Sequence, residues 1–252
     1  AFVSGEDADD AASVKPTTNM TWTDRILEAE EIAGIVVIPE NVIDDAGSDF
    51  DLWGEVRPRI AEAIGVTLDR AVFFGTNAPA SWPVGLIPAA IAAGNTYDAS
   101  VGAGDLAEDI NQTIGLVEAD GYDPSAIYAA RTLRMPLRGL RDLNNAPIFT
   151  TSLATSGVLV PQVYGIDLAY VTNGAWNDAV ALALVGDPRY AILGIRQDIT
   201  YKFLDQAVVG GISLAERDLI GLRFKMRVGF QTAQSPTASG GAGAYPFAAL
   251  VP

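Results

Sequence analysis

The 252-residue chain contains no cysteine and no histidine. Without cysteine there is no disulfide, no thiol nucleophile and no thiolate metal site. Without histidine the Ser-His-Asp and Cys-His arrangements are excluded, together with imidazole metal ligands and the one side chain whose unperturbed charge changes near neutrality. Long hydrophobic runs are missing as well. The longest apolar stretches, Ile35 to Ile38 and Val180 to Val185, fall far short of the roughly 20 residues a membrane-spanning helix needs. Positive charge is scarce: 16 Lys and Arg stand against 31 Asp and Glu, a formal net charge of −15. Such a chain is poorly suited to wrapping nucleic acid, because affinity for phosphate comes from Lys and Arg. Its expected partners are proteins, itself among them, and not a membrane.

What is present describes a folded protein. Hydrophobic residues make up 49% and charged residues 19%, far from the composition that keeps chains disordered. A compact monomer of this size would expose roughly 10,600 Å², leaving enough buried surface for one large domain or two small ones. The charge is uneven. Residues 1–51 hold 13 acids and 2 bases, whereas the remaining residues hold 18 acids and 14 bases. The first residue is Ala1, and Ala1 to Ala12 is acidic, unlike a signal peptide; residues upstream of Ala1 are expected.

Residues 1–21 read as an acidic, loop-like stretch around Glu6, Asp7, Asp9 and Asp10. Ile32 to Ile38 is rich in β-branched residues and predicts a buried strand closed by Pro39. Asp49 to Phe74 predicts the strongest helix, with Trp53, Val56, Ile60, Ala63, Ile64, Thr67, Ala71 and Phe74 on one stripe. Pro58 is expected to bend it or delay its regular part, and Gly75 to cap its end. Residues 75–104, rich in Gly, Pro and Ala, read as a boundary. Leu106 to Glu118 predicts a second helix, opened by Asp105 and Glu108 in the manner of a capping box. Ala126 to Ala130 predicts a short strand, and Arg131 to Leu143 a helix interrupted by Pro136. Further strands are predicted at Val158 to Val163, Ile166 to Thr172, Val180 to Val185, Tyr190 to Ile195, Ile199 to Leu204 and Leu222 to Phe230. In the last, Leu222, Phe224, Met226 and Val228 alternate with Arg223, Lys225 and Arg227, which gives one basic face. No internal repeat is found.

Catalytic and cofactor motifs fail on context. Gly102 to Ala107 fits a relaxed G-x-G-x-x-A pattern but follows no apolar strand, so it reads as a cap and turn. Gly240 to Gly243 lacks the Lys-Ser/Thr of a phosphate loop and reads as a hinge or hairpin tip. Asp7, Asp9 and Asp10 lack the glycine and terminal glutamate of a calcium loop. A pair of carboxylates suffices for glycoside hydrolysis, yet nothing in the sequence selects a pair among the 31 acids. No cofactor and no metal site is expected. Arg131, Arg134, Arg138 and Arg141 would fall within about an 80° arc of a regular helix. That stripe, like Arg223, Lys225 and Arg227, is either a solvated face or a surface for an acidic partner, conceivably the N-terminal segment of another copy.

Four segments resemble the major capsid protein family of tailed bacteriophages, with its Hong Kong 97-like fold. They are Ile32 to Asp45; Ile60 to Gly75 continuing through Trp82-Pro83-Val84-Gly85-Leu86-Ile87; Ala183 to Asp187 with Leu193 to Arg196; and Arg223 to Phe230 running toward Pro246 to Leu250. The helix ending in Asp69-Arg70-Ala71-Val72-Phe73-Phe74-Gly75, then Pro-x-Gly-Leu, is the most specific part. The resemblance implies a mixed α+β subunit. It divides the chain into an extended loop at 1–33, a peripheral domain at 34–86 with a spine helix at about 51–74, an axial domain at 87–180 and a second peripheral segment at 181–252. It further implies an N-terminal arm, and any scaffolding segment, ahead of Ala1. Some members of the family join subunits by an isopeptide bond from a loop lysine to an asparagine. Here Gly210 stands where that asparagine would align, so cross-linking is not expected at Lys15.

The function implied is a structural, non-enzymatic one: pentamers and hexamers closing an icosahedral shell around double-stranded DNA in the virion, after assembly in the host cytoplasm. Portal and scaffolding proteins, and a decoration protein, are the implied partners. Lys15, Trp22, Arg25, Arg131, Arg134, Arg138, Arg141, Arg223, Lys225 and Arg227 are the candidate subunit contacts. Two alternatives stand beside this reading: an encapsulin-like nanocompartment shell and an acidic carboxylate-pair hydrolase.

Overall fold

The computed structural model describes residues 24–45, 52–99, 105–141, 144, 152–153, 159–233 and 244–252. The first half of the chain forms β1 (Glu30–Pro39), α1 (Glu40–Asp45), α2 (Leu52–Phe74), α3 (Leu86–Ala93), β2 (Thr96–Asp98), α4 (Leu106–Ala119), β3 (Ala126–Ala130) and α5 (Arg134–Gly139). The second half is almost all strand: β4 (Ser152–Leu153), β5 (Leu159–Val160), β6 (Gln162–Val163), β7 (Ile166–Val171), β8 (Ala183–Gly186) and β9 (Ala191–Leu204), then β10 (Val208–Val209), β11 (Ile212–Ser213), β12 (Leu219–Thr232) and β13 (Phe247–Val251). The boundary expected at 75–104 contains two elements, α3 and β2. The strands predicted at Tyr190 to Ile195 and Ile199 to Leu204 are one strand. Register shifts along β12 at Lys225, Arg227 and Val228 place the polar residues between them in a bulge of β9, which keeps pairing continuous across a break in apolar pattern.

Helix α2 buries Ile60, Ile64 and Ala71 and packs Trp53, Val56, Leu68, Val72, Phe73 and Phe74 against the same core. Ala63 and Thr67, expected on the stripe, are exposed, and the Thr67 hydroxyl donates to the Ala63 carbonyl at 2.8 Å. The covered face therefore shifts toward Leu68 and Val72 along the helix. Pro58 removes one backbone donor in the second turn without ending the helix. Gly75, at φ 69°, closes it in the left-handed conformation and donates to the Ala71 carbonyl at 2.9 Å. Asp105 caps α4 by accepting from the Ala107 amide at 3.0 Å. Glu108 does not complete a capping box; its carboxylate accepts from Gln112 instead.

A six-stranded sheet, ordered β2-β13-β8-β3-β7-β6, divides two cores. Ile127, Val185 and Ala248 lie abreast on β3, β8 and β13 and face α4 and α5, whereas Tyr128, Leu184 and Ala249 face α2 and α3. Alternation along buried strands thus supplies both cores from the same strands. The second sheet, β1-β12-β9, is antiparallel throughout. Its inner face, including Leu222, Phe224, Met226 and Val228, covers α2. Strand β1 is an edge strand rather than the buried strand expected: Ile32, Val36 and Ile38 face inward while Ile35 and Val37 remain exposed on the outer face.

The Pro-x-Gly-Leu motif has a steric reason. Gly85 packs against the Gly75 backbone at the end of α2, where a Cβ would overlap the Gly75 nitrogen and stand 2.8 Å from the Phe74 carbonyl carbon. Backbone cannot yield as a side chain can. Gly85→Ala is expected to lower stability by about 2 kcal/mol or more, read as a drop in melting temperature.

Candidate subunit interface

The alternation along β12 places Arg223, Lys225 and Arg227 on the outer face of the three-stranded sheet. Two of the three are held within the subunit. Lys225 Nζ lies 3.8 Å from Glu31 Oε2, and Arg227 Nη2 donates to the Ala29 carbonyl at 3.1 Å. Arg223 is different: the register sets it directly opposite Lys202 of β9 on one side and Ile35 of β1 on the other. Like charges directly opposite one another are destabilising. Among the described residues neither Arg223 nor Lys202 forms an ion pair, so this pair favours an acidic neighbour. Lys202 is not identifiable from sequence, because its place beside Arg223 depends on how β9 pairs with β12.

The second cluster follows β3. Arg131 lies in a 3-10 turn (Arg131–Leu133), and Arg134 and Arg138 lie on α5, which ends at Gly139. The helix expected over 131–143, with an interruption at Pro136, is instead that turn followed by the short α5, which contains Pro136, so the four arginines do not share one helical arc. Leu133 and Leu137 are buried and anchor the segment. The Arg134 guanidinium sits 4.3 Å from the centre of the Tyr170 ring, a cation–π contact. Arg138 Nε donates to the Arg134 carbonyl at 3.3 Å, and Arg141 Nη1 to the Arg138 and Leu140 carbonyls at 3.2 Å. All four arginines are exposed, with Met135 among them, and among the described residues none pairs with a carboxylate.

Residues 24–29 cross the outer sheet face where β12 and β9 present Gly229 opposite Gly194. A Cβ at Gly229 would lie 2.7 Å from the Glu28 carbonyl oxygen, and one at Gly194 would overlap Leu27. Gln231 Nε2 fixes the crossing by donating to the Ile26 carbonyl at 3.1 Å. Arg25 is exposed and lines a cleft of about 450 Å³ with Asp24, Ile26, Glu28, Ser81 and Gln231. Lys15 and Trp22 lie outside the described residues, as do Asp7, Asp9, Asp10, Gly102 to Gly104 and Gly240 to Gly243.

Asp187 is fully buried and accepts from Arg189, from its backbone amide at 3.0 Å and from Nε and Nη2 at 2.9 and 2.6 Å. That hydrogen bonding, against the opposing effect of burial, holds its carboxyl below the usual range. Asp109 is 3% exposed with Oδ1 unpartnered. Burial first, then the charges of Asp105 and Glu108, pushes its carboxyl up. Asp69 accepts from Asn173 at 2.6 Å beside an open cleft of about 350 Å³ that contains no second acid. Asp24 and Glu28 in the 450 Å³ cleft are exposed. No group of three or more acids among the described residues has the geometry of a metal site.

The model of the Phage capsid family matches residues 3–236. A solved structure from Microbacterium phage Oxtober96 is 46% identical, covering 100% of this chain and 82% of its own length, with a TM-score of 0.87. One from Mycobacterium phage Bobi is 41% identical, covering 100% of this chain and 81% of its own, with a TM-score of 0.84. The holo-SrpI encapsulin complex from Synechococcus elongatus PCC 7942 is 12% identical over 88% of this chain and 73% of its own, with a TM-score of 0.60; that likeness is one of fold. No curated protein sequence matches.

The two buried carboxylates have opposite pH signatures. An unfolded aspartate titrates near about 3.9. Asp187, lowered in the folded state, stabilises the protein above that value and loses its contribution as pH falls through the folded pKa. Asp109, raised in the folded state, opposes folding increasingly as pH rises from about 4 through the folded pKa. Thermal melts across pH should show Asp187→Asn less stable at pH 7 with a shallower acid limb. Asp109→Asn should be more stable at pH 7 by about 1 kcal/mol and gain less than the parent on acidification.

Proposed function

Given that this chain belongs to the phage capsid family, we propose that it closes, as pentamers and hexamers, an icosahedral shell around double-stranded DNA. The chain is a structural subunit of a phage capsid: it assembles with itself into the shell and resides in the virion. Assembly in the host cytoplasm, with portal and scaffolding proteins and a decoration protein on the finished shell, belongs to the same proposal. So does the division of labour along the chain, with a loop at 1–33, a peripheral domain at 34–86 and 181–252 built on α2, and an axial domain at 87–180. The six-stranded sheet draws β3 and β7 from the axial span and β8 and β13 from the last segment, which makes the two units mechanically continuous.

The observation that carries the contact proposal is the set of exposed cations that have no acid partner among the described residues. Arg223 with Lys202, and the Arg131 to Arg141 cluster, are the places where a neighbour's acidic surface gains the most. Residues 1–51, with 13 acids and 2 bases, supply such a surface. Complementary charge of this kind sets register and partner choice more than raw affinity. Net negative charge on the wall also keeps packaged DNA from adhering to it, as retention of DNA in opened shells across a salt series would test.

Sedimentation velocity with negative-stain microscopy on the protein should show closed megadalton shells or regular capsomers. A monomer or dimer unchanged across salt and pH would overturn the proposal. Deleting Gly5 to Lys15 is expected to leave a folded subunit that assembles poorly; shells at normal yield from that deletion would remove the N-terminal segment from the contact.

A further inference from the structure

The connection between β7 and β8 contains Asn173-Gly174, and no other asparagine in the chain is followed by glycine. An asparagine side-chain amide is open to attack by the backbone nitrogen of the next residue, and a side chain on that residue obstructs the approach. Gly174 has no side chain and stands in open space.

The surroundings of this amide fit such a reaction. Asn173 Oδ1 accepts from the Ala175 amide at 3.0 Å, a donor placed where negative charge develops when the amide carbon is attacked. Asn173 Nδ2 donates to Asp69 Oδ2 at 2.6 Å, which sets a proton-exchanging carboxylate against the nitrogen that must leave. Among the described residues no acceptor takes the Gly174 N–H, while the Gly174 carbonyl is held by Arg70 Nη2 at 3.0 Å. Asn173 is half-buried and Gly174 exposed. Asp69 and Asn173 line an open cleft of about 350 Å³, and Arg70 and Gly174 another of about 440 Å³, so water reaches the amide. Asp120-Gly121 lacks this arrangement: the Gly121 amide donates to the Glu118 carbonyl at 2.9 Å, and Asp120 Oδ2 accepts from Asn95 and from the Tyr245 amide.

We propose that Asn173 is a self-modifying site. The Gly174 nitrogen bonds to Asn173 Cγ and the Cγ–Nδ2 bond breaks. The proton of the Gly174 N–H, relayed by Asp69 through water, leaves with Nδ2 as ammonia. Water then opens the cyclic imide at either carbonyl and gives aspartate or isoaspartate at 173. Either product replaces a hydrogen-bond donor by a carboxylate beside Asp69, and neighbouring like charges disfavour one another. The 172–180 connection, which packs Trp176 on Phe73 and Phe74, thereby loses a tie to the end of α2. The modification is a one-way release of that helix end.

The folded protein and the same protein unfolded in urea are incubated side by side near neutral pH, then digested with trypsin. Mass spectrometry with fragmentation of peptide 142–189 locates any conversion of amide to carboxyl. Conversion at Asn173 should run at least about tenfold faster in the folded protein, because the fold positions the reacting groups. Equal or slower conversion in the folded protein would overturn the inference, by showing that the fold protects the amide. Asp69→Asn, which keeps the size and an acceptor, should slow the folded-state reaction by about tenfold and leave the rate in urea unchanged; an undiminished folded-state rate would also overturn it. In Asn173→Asp the backbone amides of 174–181 should exchange hydrogen faster than in the unsubstituted protein, and equal exchange would overturn the release. None of these readouts depends on shell formation.

Discussion

Everything in this subunit depends on three short strands with no solvent face. Strands β3, β8 and β13 lie side by side, and each sends alternate side chains into opposite cores. Phe247, Leu184 and Ala249 serve the core under α2, while Val185, Ala248 and Leu250 serve the core under α4. A shift of register by one residue would move every side chain into the wrong core. The hydrogen bonds around Asn95 reinforce this register: its Nδ2 donates to Asp120 Oδ2 at 2.7 Å and to the Tyr245 carbonyl at 3.1 Å. Asp120 in turn accepts from the Tyr245 amide at 2.9 Å. The end of α4, the start of β2 and the approach to β13 are thereby locked together.

The end of α2 is joined to the same sheet through a cluster of rings. Phe73 lies 5.5 Å from Tyr128 and 5.4 Å from Trp176, and Phe74 lies 5.5 Å from Trp176. Arg70 donates to the Gly174 carbonyl at 3.0 Å and Trp176 Nε1 to the Ala181 carbonyl at 2.7 Å. The 172–180 connection therefore clamps the helix to the central sheet. By contrast, among the described residues the three-stranded sheet ends in β1 and β9 as unpaired edge strands, and its outer face is crossed by residues 24–29.

Much of this was legible beforehand. The helix ending at Phe74, the strand Ala126 to Ala130 and the helix capped by Asp105 follow from apolar spacing and cap chemistry, which act over a few residues. The capsid resemblance rested on local motifs, and Gly85 shows why one of them is specific: two backbones touch there. Less was legible where distant residues set the outcome. Ile32 to Ile38 looked buried because all its residues are apolar or small, yet nothing in its own sequence says that only one face is covered. Arg131 to Arg141 looked like one helix because spacing alone does not register the early stop after Gly139.

The sequence by itself determined the chemical class: no histidine, no cysteine, an acid excess and apolar periodicities sufficient for a folded α+β subunit. It also determined which side chains bear positive charge. Only the tertiary structure decided which of those charges are available. Lys225 and Arg227 are satisfied by Glu31 and the Ala29 carbonyl, while Arg223 stands directly opposite Lys202 on β9. The physical reason is that cross-strand neighbours are fixed by register over long separations in sequence. Periodicity identifies a face; pairing identifies what stands beside it.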